Sequence, residues 1–246
     1  MLPNKEGQRV PDVTFKVRRG EEWADVTTSA LFDGKKVIVF ALPGAYTPTC
    51  STSHLPRFNE LAQTFKANDI DDVICMSVND AFVMNEWGKA QEAENLTLIP
   101  DGSGQFAEGM GLLVDMSAKG FGKRSWRYSM LVNDGKIEKM FIEPEKGSGP
   151  LEVSDADTML KYVAPGASAP EPVTVFTKPG CPFCAKAKSM LKEAGLAFEE
   201  ISLGNGVTSR TLQAVAGEGT APQVFSGGKR IGGSDALEAW LGQRKK

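Results

Sequence analysis

The chain has 246 residues, 41% of them hydrophobic and 24% charged, with 28 Lys+Arg against 31 Asp+Glu for a net charge of −3. This ordinary globular composition leaves room for one or two domains, with a core that needs no disulfide staples. The charge balance argues against nucleic-acid and polybasic membrane partners; with no long apolar run and no apolar signal segment in MLPNKEGQRV, a cytoplasmic protein is expected.

In chain order, Lys36-Val-Ile-Val-Phe-Ala-Leu42 is an unbroken apolar run stopped by Pro43-Gly44, the pattern of a strand buried on both faces. Leu55, Phe58, Leu61, Ala62 and Phe65 recur at helical spacing, so a helix is expected from about Thr49 to Asn68. Asp72 to Val78 reads as a second buried strand, and Asp80 to Gln91 as a helix with Asp80 as its cap. Two strands, Tyr128 to Val132 and Ile137 to Ile142, flank the hairpin signal Asp134-Gly135. A capped helix starts at Ser154. Alternating strands and helices followed by a hairpin give an α/β domain with a mixed sheet over residues 1–163. The stretch Ala164-Pro-Gly-Ala-Ser-Ala-Pro-Glu-Pro172 reads as a linker.

Beyond it the units shorten. Strands are expected at Val173 to Thr177, Phe198 to Ser202, Gln223 to Phe225 and Arg230-Ile231. Helices are expected at Pro182 to Ala194, Ser209 to Ala216 and Ser234 to Gly242, the last capped by Ser234. The order βαβαββα over 173–246 fits a small thioredoxin-like domain.

The chain holds four cysteines, Cys50, Cys75, Cys181 and Cys184, and one histidine, His54. In a reducing compartment such thiols are reactive, metal-bound or plain core residues rather than structural disulfides. The segment Pro43-Gly-Ala-Tyr-Thr47-Pro-Thr-Cys50 joins a buried strand to a helix. Cys50 falls in the first helical turn, where unpaired N–H groups and the helix dipole favour a thiolate. The Thr47 hydroxyl is placed to reach the sulfur or a substrate oxygen, and Pro43 and Pro48 stiffen the loop. Position alone also allows Cys50 to be a small buried apolar residue. His54 either modulates this site or simply faces a groove, and a Cys50/His54 metal pair lacks two further ligands. Cys75, in an apolar strand, reads as core rather than as a resolving thiol. Lys178-Pro-Gly-Cys181-Pro-Phe-Cys184 follows a strand and opens a helix, which puts Cys181 at the helix N-terminus and Cys184 one turn inside. This is the arrangement of a redox pair, and without a second pair it is no zinc site.

The spacing Pro43-x-x-x-Thr47-x-x-Cys50 resembles the PxxxTxxC motif of peroxiredoxins. Phe40 to Pro56, Ser77 to Val83 and Arg127-Tyr-Ser-Met130 are similar, in family order, to the type 5 group, over about residues 3–163. The resemblance implies that Cys50 is the peroxidatic cysteine and that Arg127 packs against its sulfur. The thiolate would attack a peroxide oxygen and become a sulfenic acid. Donors from Thr47, the Cys50 N–H and Arg127 would stabilise the leaving oxygen. Arg124, the neighbouring cation, reads as a solvated surface charge. Type 5 relatives that resolve their own sulfenic acid use a later cysteine, and none stands between Cys75 and Cys181. A one-cysteine peroxidase needing an outside thiol is implied.

Phe176 to Cys184, Thr220-Ala-Pro-Gln-Val-Phe225 and Gly232-Gly-Ser-Asp235 resemble a dithiol glutaredoxin over about residues 173–243. That likeness implies a cis Pro222, an Ala221 backbone that pairs with the cysteinyl part of glutathione, and a Lys178 that holds one glutathione carboxylate. Gly233, Ser234 and Asp235 would hold the γ-glutamyl end, and the helix N-terminus at Ser234 favours an anion on its own account. Most relatives carry Val in place of Ala221 and Tyr in place of Phe183; the first change keeps the backbone pairing and the second drops one hydroxyl beside the glutathione.

As a whole the sequence resembles bacterial hybrid peroxiredoxin–glutaredoxins. Two thioredoxin-like domains, 1–163 and 173–246, joined by the linker 164–172, are implied to form a glutathione-dependent peroxidase. It would have no bound cofactor or metal, with glutathione or an analogue as reducing co-substrate. Nine linker residues span at most about 30 Å, so delivery of Cys181 to the Cys50 of another subunit, in a homo-oligomeric dimer or tetramer, is expected. The competing readings are a general glutathione–disulfide oxidoreductase with a docking module, and a metal or iron–sulfur carrier. A cysteine protease is disfavoured because His54 lies one turn from Cys50 on the same helix.

Overall fold

The computed structural model describes residues 2–144, 151–204 and 206–244, so the expected domain ends Met1, Lys245 and Lys246 lie outside the described residues. The chain divides into two compact units, Met1–Ala169 and Pro170–Lys246.

In the first unit, a hairpin of β1 (Thr14–Arg19) and β2 (Glu22–Thr27) and the short α1 (Thr28–Phe32) precede β3 (Lys36–Leu42). A π-helical turn, Cys50–His54, runs into α2 (Leu55–Lys66), followed by β4 (Asp72–Ser77), α3 (Ala81–Ala90), β5 (Thr97–Pro100) and α4 (Gln105–Gly109). A short pair, β6 (Leu113–Asp115) and β7 (Lys123–Ser125), leads to β8 (Tyr128–Asn133), β9 (Lys136–Ile142) and α5 (Ala156–Val163). The main sheet has the order β5-β4-β3-β8-β9. Its β3, β4 and β5 run parallel, and the β8–β9 hairpin closes it antiparallel to β3. Asp134 and Gly135 take φ of 47° and 72° at the hairpin tip, the double left-handed turn that a two-residue connection needs.

Both faces of this sheet are covered. Phe15, Phe32, Phe106 and Met130 pack on one side. Phe40, Phe58, Phe65, Trp87 and Met159 pack on the other, together with Cys50 and Cys75. A doubly covered strand has no solvent face, which is why β3 reads as a continuous apolar run. Each such fully buried side chain contributes on the order of 1.5–3 kcal/mol.

Two local features depart from the expected pattern. The helix expected from Thr49 opens as a π turn in which Leu55 N–H donates to the Cys50 carbonyl five residues back. Pro56 has no N–H to close an ordinary turn on Thr52, so the backbone widens there. The cap of α5 is Asp155, whose side chain accepts from Thr158 N–H, rather than Ser154; Ser154 is engaged elsewhere.

The second unit has β10 (Val173–Thr177), α6 (Pro182–Glu193), β11 (Glu199–Ser202), α7 (Ser209–Ala216), β12 (Gln223–Ser226), β13 (Lys229–Gly232) and α8 (Ser234–Arg244). The sheet order is β11-β10-β12-β13, with β10 and β11 parallel and the rest antiparallel. Helices α6 and α8 pack on one face through Ala187, Leu191, Leu237 and Leu241. Helix α7 packs on the other through Leu212 and Ala216 against Phe176. Gly233, not Ser234, occupies the cap position of α8, because its carbonyl accepts from Leu237 N–H at 3.0 Å. Ala164 and Ala167 pack against the core of the first unit, and the Pro172 carbonyl accepts from Gly227 N–H in the second. The tether is therefore held at both ends.

Candidate active site

The loop that follows β3 and the end of β4 lie side by side at the carboxyl edge of parallel strands, the usual place for chemistry in such sheets. Asn79 ties them together: its Oδ1 accepts from Ala45 N–H at 3.0 Å and from the Ser77 hydroxyl at 2.8 Å. Gly44 sits tightly in this cradle: a Cβ there would stand 3.3 Å from Arg124 Nη1 and 3.5 Å from Thr47 Cγ2. Tyr46, at φ 61°, turns the chain outward and is 57% exposed.

Cys50 lies at the start of the π turn and is fully buried. Arg127, just before β8, donates from Nη2 to Cys50 Sγ at 3.4 Å. The expected proximity of Cys50 and Arg127 is thus present in the geometry. The Thr47 hydroxyl differs from expectation: it donates to the Gly44 carbonyl at 2.8 Å. With its proton committed, Thr47 presents lone pairs and accepts rather than donates. Arg124 is not simply a solvated charge. Its Nε donates to the Phe121 carbonyl at 2.8 Å and its Nη1 to the Val78 carbonyl at 3.0 Å, which pins the β6–β7 connection against the end of β4. Pro43 starts the loop, half-buried, directly after β3.

His54 is fully buried, one turn on from Cys50. Its ring lies edge-on to Phe40 and Phe58, at centroid distances of 5.0 and 5.4 Å. Nε2 lies 3.0 Å from the Ser154 carbonyl, and Nδ1 lies 3.1 Å from Arg127 Nη1. A carbonyl only accepts and a guanidinium only donates, so the proton is on Nε2 and Nδ1 is bare. Burial, and then the Arg127 charge, push the imidazole down to about 3, so the ring is neutral. Held by His54 at one nitrogen, Arg127 reaches the sulfur with the other.

Cys75 faces the same core from β4. Burial, together with the nearby Cys50, pushes its thiol well up, so it stays protonated. Trp87 of α3 donates from Nε1 to the Ser51 hydroxyl at 3.0 Å, which anchors the residue after Cys50. Asn79, Trp87 and Glu143 were not singled out from the sequence, and Ser154 was read only as the start of a helix. Only the Ser77-Val-Asn-Asp stretch carried a signal for any of them.

In the second unit Cys181 caps α6. Its sulfur accepts from Cys184 N–H at 3.2 Å and, as a thiol, donates to the Ala221 carbonyl at 3.7 Å. Burial works to raise the Cys181 thiol, but the Cys184 side chain, the Cys184 and Phe183 amides and Lys178 outweigh it and hold it down. Burial, then the Cys181 sulfur, push Cys184 up to about 11. The pair is thus divided into an easily ionised and a protonated thiol. The Ala221–Pro222 peptide is cis. A Cβ on Gly233 would stand 3.7 Å from the Pro222 carbonyl, so the start of α8 adjoins this loop. Ser234 is buried, while Asp235 is exposed in the first turn of α8. Phe183 is 61% exposed and Lys178 is exposed. A cleft of about 400 Å³ beside the pair is lined by residues that include Thr177, Lys178, Cys181, Cys184 and Glu200. All four cysteines are free thiols. Among the described residues no group of three or more His, Cys, Asp or Glu could hold a metal ion, and no helix is long and apolar enough to cross a membrane.

Residues 5–160 match the Redoxin family model and residues 173–231 the Glutaredoxin family model. A hybrid peroxiredoxin of Haemophilus influenzae is 60% identical over 240 residues, which span 98% of this chain and 100% of that protein. A peroxiredoxin of Synechocystis is 56% identical over 185 residues, 69% of this chain and 97% of its own. Reduced Prx3 of Vibrio vulnificus, solved in complex with hydrogen peroxide, superposes with a TM-score of 0.61 at 40% identity, covering 64% of this chain and 98% of that one. With both family models matched in order and a full-length hybrid relative, the chain belongs to the peroxiredoxins, in the hybrid form that carries a glutaredoxin domain after the peroxiredoxin domain.

Proposed function

We propose that the protein reduces hydrogen peroxide and organic hydroperoxides at Cys50 and draws its electrons from glutathione, or a close analogue, through Cys181. The observation that carries this is the Arg127 guanidinium at 3.4 Å from a fully buried sulfur. In so dry a site a fixed guanidinium beside the sulfur is placed to stabilise charge as it passes from sulfur to the leaving oxygen.

The thiolate attacks one peroxide oxygen, the O–O bond breaks, and the other oxygen leaves as water or an alcohol once protonated. Cys50 becomes a sulfenic acid. Arg127 stabilises the charge that develops on the leaving oxygen, and Thr47 accepts from the peroxide O–H. Glutathione then condenses with the sulfenic acid, releasing water and leaving a mixed disulfide. Cys181 takes over the glutathionyl group and frees Cys50. A second glutathione regenerates Cys181 and leaves as oxidised glutathione, or Cys184 resolves the adduct as an internal disulfide. Since Cys50 is fully buried, glutathione reaches it only when the π turn opens. Lys178, Phe183, Ala221, Pro222, Gly233, Ser234 and Asp235 are the residues assigned to glutathione, with Pro43 shaping the first loop. The assigned domains are 1–163 and 173–246.

Delivery in trans, within a dimer or tetramer, is the route the short tether favours. Four residues, 168–171, lie between the anchored Ala167 and Pro172, a free stretch of at most about 14 Å. The reducing cytoplasm suits four free thiols. The test couples peroxide consumption to NADPH oxidation through glutathione and glutathione reductase. Cys50→Ser is expected to abolish turnover of peroxide and Cys181→Ser to abolish the turnover that glutathione supports. If Cys50→Ser spares turnover, the first unit is not the peroxidase. Mixing Cys50→Ser with Cys181→Ser chains is expected to restore activity; its failure to return would exclude delivery in trans.

A further inference from the structure

One carboxylate that touches neither sulfur nor substrate organises the back wall of the first site. Glu143 follows β9 and is 7% exposed. Its Oε1 accepts from Val153 N–H at 3.1 Å, Ser154 N–H at 2.8 Å and the Ser154 hydroxyl at 2.7 Å. Glu152 N–H adds bonds of 3.1 and 3.0 Å to its two oxygens. Three successive amides and a hydroxyl converging on one carboxylate form a nest built for an anion. Burial works to raise this carboxyl, but the Ser154 amide and hydroxyl and the Val153 and Glu152 amides outweigh it and hold it ionised. The Glu143 backbone is engaged as well. Its N–H donates to the Arg127 carbonyl at 3.1 Å, and its carbonyl accepts from Trp126 Nε1 at 2.8 Å.

The consequence lies one residue further along. By clamping 152–154, Glu143 fixes where the Ser154 carbonyl points, and that carbonyl is the acceptor for His54 Nε2–H. We propose that Glu143 is a positioning residue for the peroxide reaction: it sets the Ser154 carbonyl, the carbonyl sets the His54 tautomer, and His54 aims Arg127 at Cys50. Without that acceptor the imidazole proton is free to move to Nδ1. A protonated Nδ1 cannot accept from Arg127 Nη1, and the guanidinium loses the contact that holds its other nitrogen on the sulfur. The charged and titratable groups facing His54 are Arg127 and Glu143, with Cys50 one turn away; the neighbouring Phe40 and Phe58 are apolar.

This inference rests on Cys50 being the reacting thiol, and the two are separable by experiment. The chain has a single histidine, so the full-length protein without a histidine tag, labelled with 15N-histidine, gives one imidazole whose nitrogen shifts report its tautomer. Wild type is expected to show the neutral Nε2–H form, unchanged from pH 5 to 8. Glu143→Gln removes the charge that the converging amides and hydroxyl stabilise and turns one of the two acceptor oxygens, the Oε2 that takes Glu152 N–H, into a donor. It is expected to lose the single Nε2–H signature and to slow the second-order reaction of Cys50 with peroxide at least tenfold. Exchange of Cys181 with a small glutathione mixed disulfide should stay at the wild-type rate. Ser154→Ala removes one bond only and is expected to slow the peroxide step two- to fivefold; it serves if Glu143→Gln fails to fold. The proposal is overturned if wild type holds the Nδ1–H form. It is equally overturned if a folded variant loses rate with the imidazole signature intact, or loses the signature with rate intact. Loss of Cys50 dependence in wild type would sink the peroxidase reading instead.

Discussion

The two reactive thiols reach a similar end by opposite means. Cys181 is served locally: it caps its own helix, and its sulfur takes the N–H of Cys184 three residues on. Cys50 is served from a distance: its partner Arg127 is 77 residues away in the sequence and arrives just before β8, the strand beside β3. Helix ends are short-range devices that any exposed turn supplies. A buried cation needs a folded wall to hold it, and here that wall is His54 and Ser154. The first site should therefore be the more reactive and the more fragile, and the second the more robust.

The most severe way to break this contrast is Arg127→Lys. An ammonium keeps the charge but cannot reach His54 and the sulfur with a planar fork. Loss of such a preorganised donor is expected to lower kcat/KM for peroxide by about 10²–10³-fold, with Cys181 exchange unchanged in the same preparation. A lysine variant within threefold of wild type would mean that charge alone, without geometry, serves Cys50.

Acid sharpens the same contrast. In the folded chain the His54 imidazole is held down to about 3, first by burial and then by Arg127. In the unfolded chain it titrates near its ordinary value of 6.5. Between those values the unfolded state binds a proton that the folded state refuses, so stability falls as pH drops through the window, by up to about 1.4 kcal/mol per pH unit. Glu143, held below the usual carboxylate range, adds a loss of the same sign at the acid end. The second unit has no histidine. Urea unfolding resolved by amide hydrogen exchange should show the first unit weakening between pH 6 and 4 more steeply than the second. His54→Asn should flatten that slope, whatever its effect on absolute stability.

The difference between the sites also explains what could be read from the amino-acid sequence. Cys181 and Cys184, with Pro182 at the helix start and a strand before them, contain their own structural context, so a local pattern sufficed. Central strands such as β3 were legible because a strand buried on both faces is apolar throughout. Arg127 was visible only through family likeness, because nothing local ties it to Cys50. The Glu143–Ser154–His54 chain was not visible at all. Its members are ordinary polar residues whose meaning comes from the packing of β9, the 152–154 turn and the π turn. The β1–β2 hairpin was missed for a related reason: its side chains are mostly exposed or half-buried and its apolar signal is thin. The bond from the Thr47 hydroxyl to the Gly44 carbonyl was not legible, because that carbonyl turns back toward the hydroxyl only in the folded loop.

A milder probe tests the anchoring of the π turn. Trp87 donates to Ser51 next to Cys50, and Ser51→Ala leaves that buried indole N–H without its acceptor. A loss of about 1–3 kcal/mol is expected, read as a lower urea midpoint at unchanged m. Tryptophan emission should change with it. If the turn is the element that opens for glutathione, the peroxide step should slow while reaction of the oxidised sulfur with glutathione quickens.

The smallest expected effect belongs to the local site. Cys184→Ala keeps the backbone N–H that points at the Cys181 sulfur and removes only the neighbouring thiol, which helps to hold Cys181 down. One hydrogen bond of about 1 kcal/mol is about 0.7 of a pH unit. The pH midpoint for alkylation of Cys181, followed on its peptide by mass spectrometry, should rise by that order and no more. The peroxide reaction of Cys50, measured on the same variant, should not move. An unchanged Cys181 midpoint would mean that the helix-end amides and Lys178 suffice without help from Cys184. A shift of two units or more would make the second thiol, not the helix N-terminus, the main stabiliser, and the supposed robustness of the local device would be lost.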